Sequence, residues 1–216
     1  MLLYQVVSQH NMKSFNEYLA EQVTYGNGSL TIFDIDETLF HTTAQIAVIS
    51  GGRVIRRLSN SEFNTYVLQP GESFDFSEFR SAEKFSESKP INRMINKAKA
   101  ITRGIALKPQ SRVIILTARA DFDNKEKFLD VFRKHGLDMN KIRVERAGNI
   151  TSDHDVATKK YIIIYNYLNT KQFSKVRLFD DSMPNLRTFL KLRSQFPMIR
   201  FEAYYANPDG SIRTIK

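Results

Sequence analysis

The sequence predicts an α/β fold in which a parallel sheet lies between layers of helix. Three observations carry this. Short apolar, largely β-branched runs recur at 30–33, 113–116, 142–144, 176–179 and 201–205. Helical periodicity fills the gaps between the last four, and strand–helix alternation marks a parallel sheet covered on both faces. Polar residues able to do chemistry stand directly after several runs, where sheets of this kind bind ligands. A chain of 216 residues with 42% hydrophobic and 25% charged residues suits one globular domain carrying a modest insert. No apolar stretch is long enough to span a membrane. The absence of cysteine excludes a disulfide scaffold, a thiolate zinc site and a cysteine nucleophile.

The elements follow in order. The opening 1–11 is apolar but short, without a basic region or a small-residue cleavage site, so it does not read as a signal peptide. Met12 is an alternative start. From Ser14, the positions of Phe15, Tyr18, Leu19 and Val23 predict a short amphipathic helix within an N-terminal extension, 1–27. Gly26-Asn27-Gly28 is a turn into the first strand. The long interval before the second strand breaks the alternation. Within it, 45–58 reads as a hairpin turning at Gly51-Gly52, Pro70-Gly71 marks another turn, and 89–103 is the helix returning to the sheet. Residues 39–88 are therefore an inserted flap or cap in a domain over 28–216. Helices are expected at 124–135, 156–168 and 185–193, completing a three-layer, Rossmann-like arrangement. Neither internal repeats nor low-complexity stretches interrupt it.

The net charge is +9, and it is unevenly spread. Residues 1–38 hold 1 basic and 5 acidic residues, whereas 39–112 hold 12 and 6. A basic excess favours polyanionic partners without specifying a fold. The acidic block ends in Asp34-Ile-Asp36-Glu-Thr38, directly after the first strand. The second strand is followed by Thr117-Ala118-Arg119, Lys159 and Lys160 lie in the helix before the fourth, and Asp180-Asp181 closes the fourth. Carboxylates gathered at neighbouring strand ends repel one another unless a cation joins them. An all-oxygen donor set shared with a phosphate suits Mg²⁺. No Gly-rich P-loop and no GxGxxG is present.

DxDxT, then Thr-Ala-Arg, then lysine, then Asp-Asp, in this order, resembles the haloacid dehalogenase (HAD) superfamily of aspartyl-phosphate phosphatases over roughly 28–206. The insert falls where that superfamily places its first cap. Asp36 points to the phosphatases, because the dehalogenase branch lacks this second aspartate. The resemblance implies that Asp34 attacks phosphorus and that Asp36 serves as general acid and base, its backbone carbonyl also contacting the metal. It implies that Thr117 holds a phosphoryl oxygen, that a lysine neutralises the non-bridging charge, and that Asp34, Asp36, Asp180 and Asp181 hold Mg²⁺. Thr38 and Ala118 complete the expected substrate contacts.

Either lysine can fill the cationic role, and periodicity favours Lys160. Counted from it, Ile163, Ile164, Tyr167 and Leu168 form a buried helical stripe, whereas Lys159 would bring Asn166 into that stripe. Arg119, placed like the arginine of the Ser-Gly-Arg in polynucleotide 3′-phosphatases, is expected to clasp phosphate through its fork. Ser182 and Asn185 are candidates for hydrogen bonds to the site. Asp153, His154 and Asp155 read as a loop and helix cap, and His41 has no second histidine nearby to support a metal role.

The insert mixes Arg53, Arg56, Arg57, Arg80, Lys84, Lys89 and Arg93 with Phe40, Phe63, Tyr66, Phe74, Phe76, Phe79 and Phe85. Basic residues interleaved with aromatics can hold single-stranded nucleic acid, and they can equally build a small core. The expected substrate is a nucleotide or a nucleic-acid terminal phosphate, in particular a 3′-phosphate. The alternatives are a small-metabolite phosphatase and a non-catalytic nucleic-acid-binding module. Phe15-x-Glu-Tyr-Leu-x-Glu21 also resembles the openings of proteins from large tailed phages. The expected location is cytoplasmic, in the host if the protein is phage-encoded.

Overall fold

All five apolar runs form strands of one sheet in the computed structural model, which describes residues 25–216 apart from positions 64 and 106 and the side chain of Ser61. The helix expected from Ser14, and with it most of the 1–27 extension, lies outside the described residues. The strands are β1 (Gly28–Phe33), β7 (Arg112–Thr117), β8 (Ile142–Arg146), β9 (Phe173–Asp180) and β10 (Arg200–Ala206). A sixth, β11 (Ile212–Ile215), was not legible in the sequence because it is short and half exposed. It folds back after a turn in which Gly210 takes a φ of +77°, a left-handed conformation suited to glycine.

Strand order is β11-β10-β9-β1-β7-β8, with β10–β11 antiparallel and every other neighbouring pair parallel. The chain winds outward from β1 through β7 to β8, then crosses to β9 on the other side of β1. A reversal of this kind opens a crevice beyond the carboxyl ends of β1 and β9.

Side chains alternate across each strand, so the sheet has two apolar faces. Leu30 and Ile32 point to one, where α5 (Val156–Asn169) and α6 (Met183–Leu190) bring Ile164, Leu168, Leu186 and Phe189. Phe33 points to the other, where α3 (Asn92–Ile105) and α4 (Lys125–Lys134) bring Met94, Ile95, Phe128 and Phe132. On that face the rings of Phe33, Phe179 and Tyr204 stack across three strands, with centroids 4.8 Å apart at each step. Each fully buried phenylalanine contributes about 1.5–3 kcal/mol of transfer free energy, so this ladder anchors the strand ends that carry the site.

The helices begin at polar caps. Asn124 accepts from Lys127 N at 3.0 Å, and Asp155 accepts from Thr158 N at 2.7 Å, which bears out its reading as a cap. Ser182 starts α6 three residues before the expected Asn185, and its side chain accepts from Asn185 N.

Between β1 and β7, Phe40–His41 (β2) pairs with Lys89–Pro90 (β6), so the returning helix starts at Asn92 and not at Lys89. Inside this clasp lies an antiparallel sheet of order β4-β3-β5, made of β3 (Ile46–Ser50), β4 (Arg53–Leu58) and β5 (Glu72–Asp75). The hairpin turns at Gly51 and Gly52, both left-handed, with φ of +55° and +73°. The short helices α1 (Asn60–Phe63) and α2 (Ala82–Ser86) complete the segment.

The aromatic residues of this segment divide between two cores. Phe63, Tyr66, Phe74 and Phe79 pack on Ile46, Val48 and Leu58, while Phe40 and Phe85 join the main core. Of the seven rings proposed for base stacking, Phe76 alone is strongly exposed, at 45%. The others are committed to packing. No helix among the described residues is long and apolar enough to cross a membrane.

Candidate active site

The site grows from the carboxyl end of β1. Asp34 N donates to Phe179 O at 3.0 Å, extending the β1–β9 ladder by one residue and fixing Asp34 beside the end of β9. The chain then turns sharply. Ile35 O accepts from the amides of Thr38, Leu39 and Phe40 at 2.8–3.3 Å. Glu37 takes a φ of +56° within this turn, a conformation that costs a non-glycine residue about 1–3 kcal/mol. Its carboxylate offsets part of that cost by accepting from Thr42 N at 3.1 Å and pairing with His41 Nδ1 at 2.8 Å. His41 thus serves the turn.

Three carboxylates converge in the crevice. Ligand oxygens of Asp34, Asp180 and Asp181 lie within 4.8 Å of one another. Lys160 Nζ donates to Asp34 Oδ1 at 2.6 Å and to Asp180 Oδ2 at 2.8 Å. The lysine is buried on the same stripe of α5 as Ala157, Ile164 and Leu168, the register that its periodicity indicated. Lys159, one position earlier, is half-buried and makes no ion pair among the described residues. Asp180 is further held by Ser182 N at 2.9 Å and by Asn185 Nδ2 at 2.9 and 3.1 Å from its two oxygens. Both residues named as candidates beside the Asp-Asp pair therefore orient its first member.

Burial pushes the Asp34 carboxyl well above the ordinary carboxylate range; Lys160 opposes the shift, and Asp180, Asp181 and Asp36 add to it. Burial, followed by the charge of Asp180, lifts Asp181 to about 7. For Lys160, burial acts to lower the pKa, but Asp180 and Asp34 outweigh it and hold the ammonium above its usual range. One ammonium thus faces two buried carboxylates and the half-buried Asp181. The remaining negative charge and the oxygen donors could hold a metal cation.

Asp36 stands apart from this group. Its side chain turns to Arg119, whose Nε and Nη2 donate to its carboxylate at 2.6–3.2 Å. The metal contact expected of Asp36 is through its backbone carbonyl, on which the orientation of this carboxylate does not bear. Arg119 does not present a free fork to phosphate. Its side chain is 1% exposed, and its guanidinium lies 4.6, 5.1 and 5.6 Å from the ring centroids of Phe79, Phe85 and Phe122. Thr117 and Thr38 are both fully buried. The Thr117 hydroxyl accepts from Arg119 N at 3.1 Å, while the Thr38 hydroxyl has no hydrogen-bond partner among the described residues. Phosphoryl contact by either requires the surrounding loops to shift.

Gly148 is a contributor that sequence reasoning missed. A Cβ there would lie 2.5 Å from Ala118 O and 2.6 Å from Ala120 N, so only glycine lets the loop after β8 press against Thr117-Ala118-Arg119. Asn149 Oδ1 secures the same approach by accepting from Asp121 N at 3.0 Å. The available signal was a glycine shortly after a strand end, beside a polar amide. Gly148→Ala is expected to lower the unfolding free energy by about 1–3 kcal/mol through overpacking, measured by denaturant titration.

The carboxylate group, its lysine and the Asp36–Arg119 pair together provide a buried carboxylate beside an ammonium, a set of oxygen donors that could hold a metal ion, and a second carboxylate outside that set. No protein-family model matches the chain, and no curated protein matches it.

Proposed function

We propose that this protein is a Mg²⁺-dependent phosphomonoesterase of the HAD type, acting through an aspartyl-phosphate on Asp34. The observation that carries the proposal is the Lys160 ammonium held between Asp34 and Asp180 at the carboxyl ends of adjacent parallel strands. Asp181 completes the set with which Asp34 and Asp180 would hold Mg²⁺. When bound, the ion neutralises negative charge so that a phosphate dianion can approach these carboxylates.

The chain's own residues divide the rest. Lys160 holds one oxygen of Asp34, leaving the other to attack phosphorus. As that P–O bond forms, the ester P–O bond breaks and Asp36 gives its proton to the departing oxygen. Asp36 then takes a proton from water as the water oxygen bonds phosphorus. The bond from phosphorus to Asp34 breaks, releasing phosphate and restoring the carboxylate.

The substrate we propose is a nucleotide or a nucleic-acid end, with a 3′-phosphate the leading form. Support comes from the exposed edge strand β4, where Arg53, Arg56 and Arg57 flank the exposed Val54 and Ile55. A small-metabolite ester is the second reading, favoured by the burial of most flap rings in apolar cores. A phosphatase panel with Mg²⁺ at low salt separates the two. Oligonucleotides bearing a 3′-phosphate should turn over faster than p-nitrophenyl phosphate, with an advantage that salt erodes. Equal or slower turnover would leave the metabolite reading.

A further inference from the structure

We infer that Arg119 is a positioning residue that sets the Asp36 carboxylate and ties its orientation to the seat of the flap. This rests on the phosphatase reading and goes beyond it by giving the arginine a role other than phosphate binding.

The guanidinium has five N–H donors in a rigid fork. Nε and Nη2 take the Asp36 carboxylate side-on. Nη2 also donates to Thr42 Oγ1 at 2.7 Å, and Nη1 donates to Phe79 O at 3.1 Å. Thr42 lies at the base of the inserted segment, and Phe79 packs against the insert's own core. One buried side chain thus joins the end of β7, the turn after β1 and the insert. The rings of Phe79, Phe85 and Phe122 enclose its apolar faces; the first two come from the insert, Phe85 from its helix α2, and the third from the β7–α4 loop. Arginine suits this place and lysine does not, because planarity serves both the side-on pair and the ring contacts.

Two consequences follow. The arginine cannot reach a phosphoryl group without abandoning Asp36 and its aromatic enclosure. A displacement of the flap that moves Phe79 O or Thr42 is transmitted to the carboxylate assigned to proton transfer. Arg119 should therefore govern protonation of the leaving group and not affinity for phosphate.

The test compares an alkyl phosphate, whose leaving oxygen needs a proton, with 2,4-dinitrophenyl phosphate, whose leaving oxygen does not. In a single turnover, Arg119→Met should slow release of the leaving group by about 10²-fold for the alkyl ester, within the range of general acid catalysis, and by less than about tenfold for the dinitrophenyl ester, whereas the later attack of water on the phospho-enzyme is common to both. The substrate concentration that half-saturates this first step should stay within about twofold for both. Arg119→Lys, which keeps the charge and loses the fork, should show the same split in weaker form and serves if the methionine variant does not fold. In an Asp36→Asn background, Arg119→Met should add little further loss on the alkyl ester. Equal losses on both esters, a raised half-saturating concentration for both, or fully additive losses with Asp36→Asn would overturn the positioning role. Wild-type protein that hydrolyses neither ester would instead defeat the phosphatase reading itself.

Discussion

Asp34→Asn is expected to reduce Mg²⁺-dependent phosphate release by on the order of 10³-fold or more, since the amide cannot form the covalent intermediate. The fold should survive. Asparagine keeps the shape of the side chain, and Lys160 retains Asp180 as its ion-pair partner. Burial raises the Asp34 pKa, with Asp180, Asp181 and Asp36 adding to the shift, so charging this group works against folding when no metal is bound. In chelator-treated protein near neutral pH, Asp34→Asn should therefore melt at or above the wild-type temperature. A variant that loses activity because it has unfolded would melt lower. Melting and turnover measured together separate these outcomes.

Lys160→Met is the substitution expected to cost the most stability. The ammonium lies 2.6 Å from one buried carboxylate and 2.8 Å from another. Removing one partner of a buried ion pair leaves uncompensated charge and typically costs about 3–5 kcal/mol. Asp180 keeps its hydrogen bonds from Ser182 and Asn185, but Asp34 has no other partner of this kind among the described residues. Urea denaturation of the metal-free protein should show the loss directly. Lys160→Met combined with Asp34→Asn should recover part of it, because one of the stranded charges is then gone. An unchanged midpoint in the single variant would mean that the lysine is not the counter-ion of these carboxylates.

Much of the site could be read from the sequence because it obeys a local rule. Chemistry sits at strand ends, and an apolar run fixes where a strand ends to within a residue or two. Asp34, Thr117 and Asp180 follow from that rule alone. Lys160 followed from helical phase, since its spacing from Ile164 and Leu168 is independent of the tertiary structure. Asp155 was legible as a cap for a similar reason, its partner being three residues away.

Arg119 shows where such reading fails. Its residue type suited phosphate, but its partner Asp36 is 83 positions away in sequence, brought close by the adjacency of β1 and β7. The ring contacts from Phe79, Phe85 and Phe122 depend on that same adjacency and on the seat of the insert. The flap phenylalanines were legible only as a choice between base stacking and a small core, and most of them build core. Composition shows that rings and cations are interleaved, but only packing decides which rings turn inward. Gly148 and the edge strand β11 carry little periodic signal, because one acts through a close backbone approach and the other is half exposed.

In the proposed mechanism the side chain of Asp34 carries the phosphoryl group during turnover. Mixing the protein with Mg²⁺ and a phosphate ester bearing a good leaving group, quenching in acid and digesting the chain tests it most directly. The peptide containing Asp34 should carry the mass of a phosphoryl group in wild-type protein and more of it in Asp36→Asn, where attack by water loses its base. The label should disappear with hydroxylamine and be absent from Asp34→Asn. Release of phosphate with no labelled peptide, or label on a different residue, would rule out phosphoryl transfer to Asp34.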